Sequence, residues 1–315
     1  MAPANPADLQ LLDERASERG IALVRDAPMA PLTTLRVGGP ADRLLAVQSH
    51  AELLAALRLA RDAGCPRFVL GNGSDLVVAD AGIRGLVIRN RARRVRVDGL
   101  GLGADAGAPM ALLVRNATTA SLAGLEFGTS IPGTLGGAVW ANAGAHGSEM
   151  RDVVATVEVW DPRDDSIARL GVGDCAFAYR ESRFKHSPEV VLSATLSLRS
   201  DGPAAIAARV AAYQAQRVAT QPLADQNAGS VFRNPPDDHA GRLIDAAGLK
   251  GLRVGGASVS ERHANFIITD HGARAADVRA LGDRVREEVR ARFGVKLEYE
   301  IEFVGDWAGP TGDAP

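Results

Sequence analysis

Apolar residues recur every three or four positions over 49–63, where Leu53, Leu54, Leu57 and Ala60 share one side. That spacing predicts an amphipathic helix. Ser49 followed by Glu52 has the form of a capping box, and Gly64 supplies a stop. A second helix is predicted over 109–120, opened by Pro109, and an Ala-rich one from Pro203 to about Arg217. The last and longest, 274–293, puts Val278, Leu281, Val285 and Val289 on one face. Strand patterns occupy 67–70, 86–88, 153–160 and 190–198, and 296–304 reads as a closing strand. Asp-Gly-Pro within 200–203 marks a linker. The pattern predicts an α+β protein with two glycine-rich turns, followed by a smaller α/β unit. No internal repeat is visible.

Composition adds one anomaly. The 315 residues carry 36 Lys+Arg against 38 Asp+Glu, a net charge of −2, which argues against a nucleic-acid binder. Glycine stands at 34 residues, about 11% against a background near 7%. Fifteen of the 34 fall between Gly71 and Gly147. The N-terminus shows no basic stretch leading into an apolar one, and no run is long enough to span a membrane. The two cysteines, Cys65 and Cys175, and the six histidines have no metal-ligand spacing. A cytoplasmic protein without a metal is expected, and a monomer is the default expectation.

The glycines sort into two loops. In the first, Gly71, Asn72, Gly73, Ser74 and Asp75 follow a strand and precede another apolar run. Glycine lets backbone N–H groups approach an anion closely, and Asn and Ser add donors. The loop is neither a Rossmann turn nor a Walker motif, and a tight β-turn explains it equally well. The second loop, 124–147, holds Gly128, Gly133, Gly136, Gly137, Gly144 and Gly147, with Ser130, Thr134 and Asn142 between them. Two such loops suggest one long diphosphate-bearing ligand held without a Rossmann fold.

Seven strings turn that suggestion into a resemblance. LRVGGPAD (35–42), GNGSDLVVADAGIRGLVI (71–88), SIPGTLGGAVWANAGAHG (130–147), YRESRFK (179–185), NAGSVFRNP (227–235), LIDAAGLKGLRVGGASVSERHANFI (243–267) and LEYEIEFVG (297–305) occur in that order. Together they resemble the UDP-N-acetylenolpyruvoylglucosamine reductase (MurB) family. The resemblance implies a two-subdomain FAD-binding unit of the PCMH/VAO type over 1–200, divided near 90, and a substrate domain over 201–315. It implies non-covalent FAD, NADPH as hydride donor, a UDP-sugar enolpyruvyl ether as substrate, and a role in peptidoglycan synthesis. Arg36, Gly71, Asn72, Gly73, Ser74, Asp75, Ser130, Ile131, Pro132, Gly133, Gly136, Gly137, Asn142 and Gly144 are the implied cofactor contacts.

Arg180, Ser230 and Glu300 match the family's catalytic positions. Reducing an enol ether conjugated to a carboxylate requires a hydride donor, a group to hold the developing enolate and an acid for the carbon. An arginine suits the second task and Ser230 matches the proton donor. Glu298 and Glu300 share a strand face, so spacing does not choose between them; the family pattern selects Glu300. Tyr179, Lys185, Arg233 and Asn234 match substrate positions, with arginine at 233 where lysine is commoner. His263 and Asn265 read equally as ligand contacts or packed residues. Arg89, Arg91, Arg93, Arg94 and Arg96 alternate like the solvated face of one strand. Only 50 residues separate Arg180 from Ser230, so the short family type, lacking a tyrosine-bearing loop, is the match. The rival readings are an oxidase of the same superfamily and a non-catalytic flavin or sugar-nucleotide binder.

Overall fold

The computed structural model describes residues 5–307. Its first sheet has four strands in the order Val24–Pro28, Pro40–Val47, Ile83–Asn90, Arg67–Leu70. The helix His50–Asp62 carries the chain from Pro40–Val47 across Ile83–Asn90 to the far edge, and all three of these strands run parallel. Ser49 Oγ caps that helix by accepting from Glu52 N at 3.2 Å, while the Glu52 carboxylate reaches back to Gln48 N. The helix lays Leu53, Leu57 and Ala60 on the sheet. Helix Pro6–Glu18, which the hydrophobic pattern did not announce, buries only Leu12 and Ala16 of its own residues.

The second sheet has five strands in the order Ser166–Gly171, Val154–Asp161, Val190–Ser197, Gly101–Asp105, Val95–Asp98, all antiparallel. Helices Met110–Thr119 and Leu135–Ala141 lie over it, and Met110, Leu113, Leu135 and Val139 fill the core between them. The arginine cluster expected on one strand face is thereby divided. Arg89 ends a strand of the first sheet, Arg96 belongs to the second, and Arg91, Arg93 and Arg94 lie in the exposed connection.

The C-terminal part forms a small sheet, Gln226–Asn227, Ile267–Thr269, Ala257–Val259, Arg253–Val254, backed by helix Ala275–Phe293. That helix buries Val278, Leu281, Val285 and Val289 as its spacing demands, and ends on Gly294 in the left-handed region. The closing strand is shorter than the pattern predicts. Glu302–Val304 pairs in parallel with Leu76–Val78 of the first lobe, and before it Tyr299 makes a single antiparallel bridge to Phe232. Residues 296–298 stay irregular because their apolar anchor Leu297 packs into the C-terminal core instead.

This return ties the ends of the chain together. Leu35, Val37 and Val77 contribute to the C-terminal core. Asp80 accepts from Ala275 N and Ala276 N, closing the open start of the last helix. Helix Pro203–Thr220, three residues longer than predicted, leans on the second lobe: Arg209 pairs with Glu126, and Tyr213 stacks on His146 at 3.9 Å. Between the lobes lies one deep cleft.

Candidate active site

The cleft has a volume of about 1350 Å³, beyond the roughly 300–1,000 Å³ of a pocket for one drug-sized ligand. Both glycine loops line it, and a hydrogen bond from Asn72 Nδ2 to Pro132 O at 2.8 Å joins them. Of the fourteen expected cofactor residues, thirteen line the cleft. Asn142 does not. It is fully buried in the left-handed region after Leu135–Ala141, donating to Ala178 O and accepting from Arg151 N. Its amide is spent on holding the chain that leads to Arg180.

The glycines have two different reasons. A Cβ on Gly73, at φ +63°, would lie 2.2 Å from Leu32 O; one on Gly71 would meet Thr134 Oγ1, one on Gly136 Ala106, and one on Gly144 Ser148 O. These four are demanded by the protein's own packing. Gly133 and Gly137 meet nothing closer than 3.6 Å and open toward the cleft, as a closely held ligand requires. Arg36, Arg67, Arg89 and Arg217 also line the cleft, and among the described residues none has a carboxylate partner. Burial lowers the pKa of Arg67, Arg89 and Arg217. Guanidinium groups left unpaired at a cleft are ready partners for phosphate. A long dinucleotide therefore fits these residues: apolar walls, open glycines, and cations without carboxylates.

At one end of the cleft three distant segments meet. Arg180 Nε donates to Glu300 Oε1 at 2.6 Å, and its guanidinium also reaches Gly144 O at 3.0 Å. Burial works against the charge on Arg180, and the Glu300 carboxylate more than offsets it. Arg180 itself has φ +56°, as strained for a non-glycine residue as Arg36 and His146, which also line the cleft. Ser230 also lines the cleft, and its hydroxyl makes no protein hydrogen bond among the described residues. Backbone geometry places Ser230 next to Glu300: Val231 N donates to Asn265 O, and Glu300 N donates to Val231 O at 2.8 Å. Glu300, rather than exposed Glu298, faces the cleft.

The expected substrate residues separate. Lys185 lines the cleft, paired with Glu302 at 2.8 Å and lying over the Trp140 ring. Tyr179, Arg233 and Asn234 stand outside its lining. Tyr179 is exposed beneath Arg180 and accepts from Asn234 N, Arg233 pairs with Glu181, and Asn234 Oδ1 accepts from Ala240 N. Asn265 resolves as a packed residue: its amide brackets Phe232 through both Phe232 N and Phe232 O, pinning the extended segment that follows Ser230. His263 is packed against Phe266, and burial lowers its pKa. Gly248, Gly251, Gly255 and Gly256 serve turns and close packing in the C-terminal part, away from the cleft.

Glu302, Arg89, Arg217 and His146 were missed by sequence reasoning. Glu302 alternates with Glu300 on an extended segment, which is the one signal that could have found it. His146 accepts or donates at 2.8 Å to Ser130 Oγ, a partnership no local pattern announces.

Comparison with known proteins decides the family. A UDP-N-acetylenolpyruvoylglucosamine reductase of Symbiobacterium thermophilum is 45% identical over 299 residues, covering 92% of this chain and 96% of that protein. One from Moorella thermoacetica is 46% identical over 287 residues, covering 91% and 94%. The chain belongs to the UDP-N-acetylenolpyruvoylglucosamine reductase family. The model for the C-terminal domain of that family matches residues 221–304, and the model for an FAD binding domain matches 41–171. The crystal structure of the Thermus caldophilus reductase (MurB) superposes with a TM-score of 0.77 at 39% identity, covering 90% of this chain and 98% of that one. Within this family fold, the FAD binding domain takes in strands of both lobes that wall the cleft.

Proposed function

We propose that this protein reduces UDP-N-acetylenolpyruvoylglucosamine to UDP-N-acetylmuramate, using FAD and NADPH. The observation that carries the reading is the joining of Arg180 to Glu300 beside Ser230, at the end of a cleft whose glycine loops and unpaired arginines suit a dinucleotide. Bound FAD would supply the hydride that no side chain can, NADPH being its source. Arg180 grips the enolpyruvyl carboxylate and stabilises the negative charge that grows there. Glu300 holds the guanidinium in place and faces the same carboxylate region. The Ser230 hydroxyl, free of protein partners, gives its proton to the carbon. An enolate carbon is basic enough to take a proton from an alcohol.

Lys185, over Trp140 at the cleft wall, meets the diphosphate of the sugar nucleotide, with Tyr179, Arg233 and Asn234 supporting the rim. The remaining cofactor contacts follow the thirteen cleft-lining residues named above. We assign residues 1–200 to FAD binding and 201–315 to the substrate side, and place the activity in cytoplasmic peptidoglycan synthesis by a monomer. Among the described residues no helix is long and apolar enough to cross a membrane, and no cluster could hold a metal.

Anaerobic stopped-flow spectroscopy tests the reaction. NADPH should bleach the flavin absorbance, and UDP-N-acetylenolpyruvoylglucosamine should restore it. Restoration by oxygen alone would select the oxidase reading instead.

A further inference from the structure

The first glycine loop ends in a carboxyl group that the mechanism leaves unused. Asp75 precedes strand Leu76–Val78, and its backbone oxygen accepts from Glu302 N at 3.0 Å. It therefore lies beside the extended segment that carries Glu300 and Glu302, and all three carboxyl groups line the cleft. Two cations of the cleft lining, Arg180 and Lys185, lie beside them. Both are committed: Arg180 to Glu300 at 2.6 Å and Lys185 to Glu302 at 2.8 Å. Asp75 has no cation, and no protein N–H or O–H donates to its side chain among the described residues. Protein atoms crowd it, yet its carboxyl stays open to the void of the cleft.

A carboxylate left without donors beside two others is a costly arrangement, and taking up one proton relieves it. The neutral acid has an O–H to donate. No protein group accepts it here, so the acceptor must come from whatever fills the cleft. We propose that Asp75 acts as a neutral carboxylic acid that donates a hydrogen bond to the reacting end of the bound FAD. The assignment to FAD rests on the family reading of the cleft; the neutrality rests on the side-chain arrangement. Burial, then the charges of Glu300 and Glu302, push the Asp75 pKa well up, and Lys185 and Arg180 pull it back only in part. An amide could replace the acid as donor, whereas the ionised form would lose the donor and place negative charge against the ligand.

The test strips FAD from the protein and titrates it back, reading flavin fluorescence from about pH 6 to about pH 10. Wild type should lose about tenfold in FAD affinity for each unit by which the pH exceeds the Asp75 pKa. Asp75→Asn should show no such loss, and at neutral pH Asp75→Ala should bind about tenfold more weakly than Asp75→Asn, the worth of one buried hydrogen bond. Equal pH profiles in wild type and Asp75→Asn, or equal affinities of the amide and alanine variants, would overturn the proposal. Infrared spectroscopy of the wild type covers a variant that does not fold. The C=O stretch of a protonated carboxyl should be present at neutral pH and vanish on alkaline titration; its absence at neutral pH also overturns the proposal. Wild type that binds no FAD at all would instead overturn the family reading, and the infrared band of the ligand-free protein would still decide the protonation of Asp75.

Discussion

The cradle of glycine loops and the charged corner at its end are built by opposite means. The cradle is compact in sequence: two runs, 71–75 and 128–147, joined to each other by one hydrogen bond, Asn72 to Pro132, and seated on near neighbours such as Leu32 and Ala106. Its essential feature is the absence of side chains, at positions where a Cβ would strike Leu32 O, Thr134 or Ala106. The corner is assembled from afar. Arg180 and Glu300 lie 120 residues apart, Lys185 and Glu302 117 apart. Both pairs depend on the C-terminal strand Glu302–Val304 returning to Leu76–Val78. Binding of the cofactor thus draws chiefly on the chain's conformational freedom, and chemistry on its tertiary closure.

The two regions should fail differently. Ser230→Ala breaks the corner alone. Reoxidation of the flavin by the enolpyruvyl substrate should slow by about 10²–10⁴-fold, the usual worth of a general acid, while reduction by NADPH stays nearly normal. Equal slowing of both half-reactions in stopped-flow would remove Ser230 from the acid role. Gly73→Ala breaks the cradle. At φ +63°, with a backbone oxygen 2.2 Å from the added carbon, strain alone should cost about 1–3 kcal/mol. Thermal unfolding should show the loss and FAD titration a weaker complex; an unchanged Tm would mean the loop shifts freely.

A smaller effect is expected where helix Pro203–Thr220 is fastened to the second loop. Burial alone would raise the Glu126 pKa, but backbone N–H groups and Arg209 outweigh it and hold it below the usual value. Its folded pKa being depressed, the stabilisation is complete above the unfolded value of about 4.3 and fades as the pH falls through the folded one. Glu126→Gln should therefore lower Tm modestly at neutral pH, with the gap to wild type closing in acid. A gap that persists in acid would assign the effect to packing rather than charge.

Much of this was legible in the chain. The helices over 49–63, 109–120 and 274–293 carry their periodicity and stops locally, and they form within a few residues of expectation. The glycine loops announce themselves by density, and the motifs around Arg180, Ser230 and Glu300 point to one family. What sequence misread or left open is instructive. Asn142, expected among the cofactor contacts, is a buried cap; Asn265, open between ligand contact and packed residue, is a brace for the segment that follows Ser230. A side-chain amide serves either purpose, and only its surroundings distinguish them.

Sequence by itself determined the local conformations, the two loops and the kinds of chemistry available, because propensity, turn preference and residue type act over a few neighbours. Spacing left Glu298 and Glu300 equal and the family pattern chose Glu300, but only tertiary structure brings Glu300 against Arg180. Tertiary structure alone decided that Arg89 faces the cleft while Arg91 does not. It also left Asp75 beside Glu300 and Glu302 with no cation of its own. Those outcomes depend on which strand closes on which, and electrostatic partners far apart in the chain exist only after that closure.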